Sequence, residues 1–173
     1  MLFEVVSKYK DKNISLPVRK TAGAAGYDFQ AAEDIVVPSY LAMMKDIDPS
    51  HAVTTIDQVA QWTKETGIKP TLIPTGVKAQ IDKGFYLQLA IRSSSPLKYW
   101  LVLANGCAII DEDYVHADNE GHIFFQVINL SPFDIFIKKG DTIGQGIFLP
   151  YLKTQDDIPG GERKGGFGST NEK

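Results

Sequence analysis

Phe85-Tyr86-Leu87-Gln88-Leu89-Ala90-Ile91 reads as a β-strand with one side in a core: Phe85, Leu87, Leu89 and Ile91 fall on one face, Tyr86, Gln88 and Ala90 on the other. Successive side chains of an extended chain point to opposite sides, so a period of two separates a buried face from a wetter one. The same period returns at Phe133, Ile135 and Ile137 against Asp134 and Phe136. Further apolar runs at 3–6, 26–31, 34–37, 71–80, 100–110, 122–129 and 141–149 are strand candidates, punctuated by Pro38, Pro74, Gly84, Pro96, Ser131-Pro132 and Gly140. Short strands with turn signals at that spacing specify an all-β sandwich or barrel.

Residues 55–66 depart from that period. Ile56, Val59, Ala60 and Thr63 share a helical face, Thr55 and Gln58 stand at capping-box spacing, and Gly67 follows where a helix would stop. The spacing predicts a short inserted helix that packs its one apolar stripe on the sheet. One β domain is expected over 1–151. The acidic, Pro- and Gly-containing run QDDIPGGE then tethers a flexible C-terminal arm within 152–173.

The 173 residues are 43% apolar and carry a formal charge of -3, which suits one ordinary core. That balance gives no electrostatic footprint for a nucleic-acid polymer, whose binding needs clustered Lys and Arg. MLFEVVSKYKDKN at the start is too briefly apolar for a signal peptide or a membrane span, so a cytoplasmic protein with no membrane partner is expected. The single cysteine, Cys107, has apolar neighbours and is expected as a packed thiol in a reducing compartment.

Five clusters carry polar chemistry. In Ala25-Gly26-Tyr27-Asp28-Phe29 a glycine-led turn presents a carboxylate at a strand start, where Asp28 either touches a hydrated metal or caps the turn. Arg92-Ser93-Ser94-Ser95-Pro96 sets a guanidinium and hydroxyls at the end of strand 85–91, as a phosphate cradle or a Ser-rich turn stopped by Pro. Asn105-Gly106 is the dipeptide of a tight hairpin between WLVLA and CAII; its open backbone and amide suit a pyrimidine edge or simply a turn. After it, Asp111 and Asp113 share a face if the strand is regular, with Glu112 opposite, and one is a candidate general base. Lys138 to Gly146 is a turn into a strand in which Gln145 is either a ligand contact or a side chain facing water. Arg163-Lys164-Gly165-Gly166-Phe167-Gly168-Ser169-Thr170 combines a cation, hinge glycines, one aromatic and two hydroxyls, as a closing arm for a nucleotide or a solvated tail. His116, Asp118, Glu120 and His122 alternate as metal ligands on a strand would, but HADNEGH is rich in loop residues and reads as a polar loop.

In order and spacing, AGYDF, IRSSS, NGCAIIDEDY, KGDTIGQ and RKGGFGST resemble the motifs of the trimeric dUTP pyrophosphatase (dUTPase) family, over residues 25 to 170. The long form, with DNEGHI after Tyr114, is most similar to dUTPases of Gram-positive bacteria and their phages. The resemblance implies a distorted β jelly roll and a homotrimer whose active sites each draw on all three chains. It also implies the reaction dUTP + water → dUMP + pyrophosphate with Mg2+, which limits uracil in DNA and supplies dUMP for dTTP synthesis. By the same resemblance Asp111 orients and deprotonates the water that attacks the α-phosphorus. Tyr114 lies under the deoxyribose and leaves no room for a 2′-hydroxyl, and Asn105 with the backbone at Gly106 reads uracil. Arg92, Ser93 and Gln145 are implied phosphate contacts, with Ser94 beside them, and Asp28 holds magnesium through water. In the arm, Phe167 stacks on uracil while Arg163, Gly168, Ser169 and Thr170 close over the β- and γ-phosphates.

The chain departs from the family pattern in several places. The step from Arg163 to Phe167 is shorter than in many members, Ser94 replaces a frequent Gly, extra residues separate Tyr114 from Gly121, Asn171 follows Thr170, and 55–66 is inserted. Two rival readings remain. A dCTP deaminase shares the fold but needs a catalytic Glu after the third motif and an altered tail. A regulatory protein, like the phage relatives that also bind repressors, would use the 55–66 helix and the 115–121 loop as partner surfaces.

Overall fold

The computed structural model describes residues 1–46, 55–158, 160, 161 and 165. Its strands are β1 (Leu2–Val5), β2 (Tyr27–Gln30), β3 (Ile35–Val37), β4 (Thr71–Pro74), β5 (Val77–Gln80), β6 (Phe85–Ile91), β7 (Leu101–Leu103), β8 (Ala108–Ile110), β9 (Phe124–Asn129), β10 (Ile135–Ile137) and β11 (Thr142–Pro150). Helices α1 (Tyr40–Met44), α2 (Ile56–Thr66) and α3 (Ser94–Tyr99) interrupt them. The strands form antiparallel sheets in the orders β2-β11-β6-β8 and β4-β9-β7, with the pairs β1-β5 and β3-β10 beside them. This is a jelly-roll-like β architecture with inserted helices, as the alternation at 85–91 led us to expect.

The core lies between the two larger sheets. Leu87 and Leu89 of β6 are fully buried while Tyr86, Gln88 and Ala90 are half-buried. Phe29, Ile73, Phe125 and Val127 complete the buried layer, and each such side chain contributes about 1.5–3 kcal/mol when withdrawn from water. Two glycines leave room for core rings, one from the facing sheet and one from the same sheet. A Cβ at Gly144 would stand 2.0 Å from the Phe125 ring, and one at Gly146 would stand 2.8 Å from the Phe29 ring. Gln145 between them therefore projects to the opposite, half-exposed face of the sheet.

Several expectations are corrected. The run 71–80 is two strands, because Gly76 adopts φ +70 and the Thr75 hydroxyl donates to the Ile123 carbonyl while accepting from the Val77 N–H. Phe133 lies ahead of β10 and is exposed, because Asn129 and Ser131 bond its carbonyl into a turn. Pro96 does not follow a simple turn: α3 begins after Ser93, and Pro96 occupies its first turn, where a missing N–H costs nothing. Asn105-Gly106 does turn the chain, with Gly106 at φ +65, but its flanking strands pair elsewhere, β7 with β9 and β8 with β6. It is a corner between sheets rather than a hairpin. Cys107 sits in that corner and is exposed, not packed.

The inserted helix forms as its caps dictate. The Thr55 hydroxyl accepts from the Gln58 N–H at 3.2 Å, the Gln58 side chain accepts from the Thr55 N–H at 3.1 Å, and Gly67 closes the helix at φ +70. Its expected packing is overturned. No residue of α2 is buried; Ile56 is 87% exposed and Val59 47%. Among the described residues, no helix is long and apolar enough to cross a membrane.

Candidate active site

The corner after β7 encloses a cavity of about 250 Å³, lined by Asn105, Ala108, Ile109, Ile110, Tyr114, Phe124 and Gln126. Asn105 stands exposed at its mouth and the buried ring of Tyr114 forms a wall. Two expected site residues thus share one pocket. Phe124 and Gln126 were missed. They alternate with the buried Phe125 and Val127 on β9, and only the sheet order reveals what their other face lines.

Asp111 follows β8 directly and is exposed. It does not share a strand face with Asp113, since the chain leaves β8 at Ile110 and turns, the Tyr114 N–H donating to the Asp111 carbonyl at 3.1 Å. Glu112 is spent on structure, accepting the Gly84 N–H at 2.7 Å. A single turn of 3-10 helix, Tyr114–His116, then carries Tyr114 back against the pocket. The Tyr114 hydroxyl donates to the His122 carbonyl at 3.1 Å and accepts from Asn119 Nδ2 at 2.8 Å.

The loop read as polar is half core. His122 is buried; its Nε2 accepts the Gly76 N–H at 2.9 Å and its ring lies 4.0 Å from that of Phe124. Burial, with Lys8 adding to it against an opposing Glu120, holds His122 down at about 4. Glu120 accepts from the Ser7 hydroxyl at 2.9 Å and meets Lys78 at 3.5 Å, contacts that hold its carboxyl below the usual range. Among the described residues no group of three or more His, Cys, Asp or Glu side chains converges as a metal cage.

The remaining candidates form a second set. Asp28 on β2 pairs with Gln145 on β11, which pairs in turn with Ala90 on β6. These three project to the same half-exposed face. The Gln145 side chain lies over Gly26, where a Cβ would stand 2.5 Å from its Oε1. At the end of β6 Arg92 and Ser93 are exposed and Ser94 is half-buried. A larger cavity of about 410 Å³ opens beside Arg92, Ser94 and Ser95, with Asp141 and Thr142 as well as Ile73, Leu101, Val127 and Ile143 in its lining.

Asp111 and Arg92 stand at different ends of β6, although Ala108 of the corner pairs with Leu89, next to the Ala90 that faces Gln145. Ile110, just before Asp111, pairs with Leu87, and Arg92 lies five residues further along the same strand. At the rise of an extended chain that step is roughly 17 Å. Arg163, Phe167, Gly168, Ser169 and Thr170 lie outside the described residues.

Comparison with known proteins agrees with this architecture. A model of the dUTPase family matches residues 61–171. The deoxyuridine 5'-triphosphate nucleotidohydrolase of Lactococcus lactis is 40% identical over 171 residues, covering 97% of this chain and 95% of that protein. The crystal structure of dUTPase from Streptococcus mutans is 35% identical, covers 88% of this chain and 98% of its own, and superposes with a TM-score of 0.68. A dUTPase from phage phi11 of S. aureus shares the fold at 18% identity, covering 98% of this chain and 99% of its own, with a TM-score of 0.61. The chain belongs to the dUTPase family. It is an enzyme of the dUTPase type.

Proposed function

We propose that the protein hydrolyses dUTP to dUMP and pyrophosphate, as a homotrimer whose sites each combine the corner of one chain with the strip of another. One observation carries the reading: a cavity of nucleoside size brings Asn105 and Tyr114 together immediately beside the exposed Asp111. The Asn105 amide offers both donor and acceptor to a uracil edge. The Tyr114 ring stands under the sugar and excludes a 2′-hydroxyl, and the Asp111 carboxylate accepts the proton of a water aimed at the α-phosphorus. Phosphoryl transfer asks mainly for positioning and for neutralised oxygen charge, so one base suffices and no covalent nucleophile is needed.

Arg92, Ser93 and Gln145 supply donors for phosphate oxygens. Asp28, paired with Gln145, belongs to the same strip. A single half-exposed carboxylate fits magnesium held through its waters, since this ion keeps several waters and takes phosphate oxygens directly. Bound there, the ion would neutralise phosphate charge. The separation of Arg92 from Asp111 along β6 is compatible with a site shared between chains. Residues 1–151 then form the catalytic domain and 152–173 an arm, with Arg163, Phe167, Gly168, Ser169 and Thr170 closing over the nucleotide. Residues 152–158, which lead into the arm, are exposed.

Pyrophosphate and ammonia release from dUTP, dCTP, dTTP and UTP, with magnesium and with excess chelator, tests the proposal. Pyrophosphate from dUTP alone, lost with chelator, is expected. Ammonia from dCTP would move the protein to the deaminases, and silence on all four would favour a regulatory role.

A further inference from the structure

We infer that Asn119 is a positioning residue for sugar selection, holding the Tyr114 ring in the plane that rejects ribose. This rests on the role just proposed for Tyr114. A flat ring can refuse an added hydroxyl only if it cannot yield, because an apolar pocket by itself discriminates weakly against one extra oxygen. Something must therefore lock the ring, and selective sites do this with hydrogen bonds from a surrounding layer of residues.

Asn119 is built for that task. Its Nδ2 donates to the Tyr114 hydroxyl at 2.8 Å while its Oδ1 accepts the Gly121 N–H at 3.1 Å, so the amide is held at both ends. The backbone around it is costly to form. Glu120 is a non-glycine residue at φ +60, and Gly121 follows at φ +73. A Cβ at Gly121 would stand 2.7 Å from the Val115 Cα and 2.9 Å from the Tyr114 carbonyl oxygen. The loop thus folds onto the backbone that carries the ring. It is pinned from outside as well, by Ser7 and Lys78 on Glu120 and by Gly76 on His122. A polar loop held this firmly, with one amide aimed at the distal end of a pocket wall, does more than connect two elements. Left-handed strain in a non-glycine residue persists where the surrounding structure over-determines it.

The test measures kcat/KM for dUTP and for UTP in the wild type, Asn119→Ala, Asn119→Asp, Tyr114→Phe and the double variant Asn119→Ala/Tyr114→Phe. Asn119→Asp keeps an acceptor for Gly121 and removes the donor to Tyr114, so it isolates the bond if the Ala variant folds poorly. The preference for dUTP over UTP is expected to fall by roughly three- to tenfold in both Asn119 variants, the size of one lost hydrogen bond read as a rate ratio. Asn119→Ala is expected to add nothing in the Tyr114→Phe background, where the hydroxyl it serves is gone. An unchanged preference in Asn119→Asp, or an equal further loss in the double variant, overturns the inference. If the wild type itself shows no preference for dUTP over UTP, the role of Tyr114 fails instead.

Discussion

The corner that carries Asn105 and Tyr114 is walled by its own chain, whereas the strip of Arg92, Ser93, Gln145 and Asp28 stands half-open on a sheet face and a strand end. The corner needs shape, because a base and a sugar are recognised by fit and by a few fixed hydrogen bonds. Its walls are accordingly buried or tied down: Tyr114 by Asn119 and the His122 carbonyl, Phe124 by its tilted contact with the His122 ring. The strip offers charge and donors along a line, and such groups recognise phosphate without enclosure. If the site is shared, a neighbouring chain brings its Arg92 to the Asp111 edge of this corner.

The largest break in this comparison is expected at the catalytic edge of the corner. Asp111→Asn removes the base while leaving the pocket, and turnover of dUTP should fall by about 10²–10⁴-fold. dUTP binding, followed by calorimetry, should survive. On the strip, if Arg92 binds phosphate as proposed, kcat/KM of Arg92→Ala should fall by an amount equivalent to about 1.5–3 kcal/mol. If the corner alone holds the nucleoside, binding of dUMP should change far less than binding of dUTP.

Gly144→Ala tests the strand that presents Gln145. Its new Cβ would stand 2.0 Å from the Phe125 ring, so a loss of about 1–3 kcal/mol in unfolding free energy is expected by denaturant titration. The smallest effect concerns acid. His122 is held at about 4 in the fold against an ordinary 6.5, so the unfolded chain takes up a proton that the folded one refuses between those values. The stability conferred by neutral His122 is complete above the ordinary value and is lost as pH falls toward the folded one. His122→Gln keeps an acceptor for Gly76 and removes this titration. Its stability should change less between pH 7 and 4.5 than the wild type's, by on the order of 1–2 kcal/mol.

The strands and the helix caps were legible because their signals are local. Alternation along 85–91 needs no partner to be read, and Thr55, Gln58 and Gly67 act on backbone groups a few residues away. Partnership was not legible. Asn105-Gly106 announces a turn, yet whether β7 and β8 pair with each other depends on β9 and β6, which are distant in sequence. The same distance hid the burial of His122, whose acceptor role requires Gly76, 46 residues earlier in the chain, to lie beside it. The apolar stripe of α2 promised a covering surface that the described part of the chain does not provide. Of the candidate site residues, the sequence named Asn105 and Tyr114, which the fold brings to one pocket. Phe124, Gln126 and Asn119 could not be named from it, since nothing local says which pocket a side chain will line or brace.

Subunit mixing tests the shared site most directly. Asp111→Asn and Arg92→Ala chains, each impaired alone, are unfolded together, refolded at equal amounts and assayed for pyrophosphate release from dUTP. If the corner and strip of one site come from different chains, about a quarter of the sites in random assemblies regain both intact groups and activity returns. If the mixture shows only the sum of its two components, the site lies within one chain and the account is wrong.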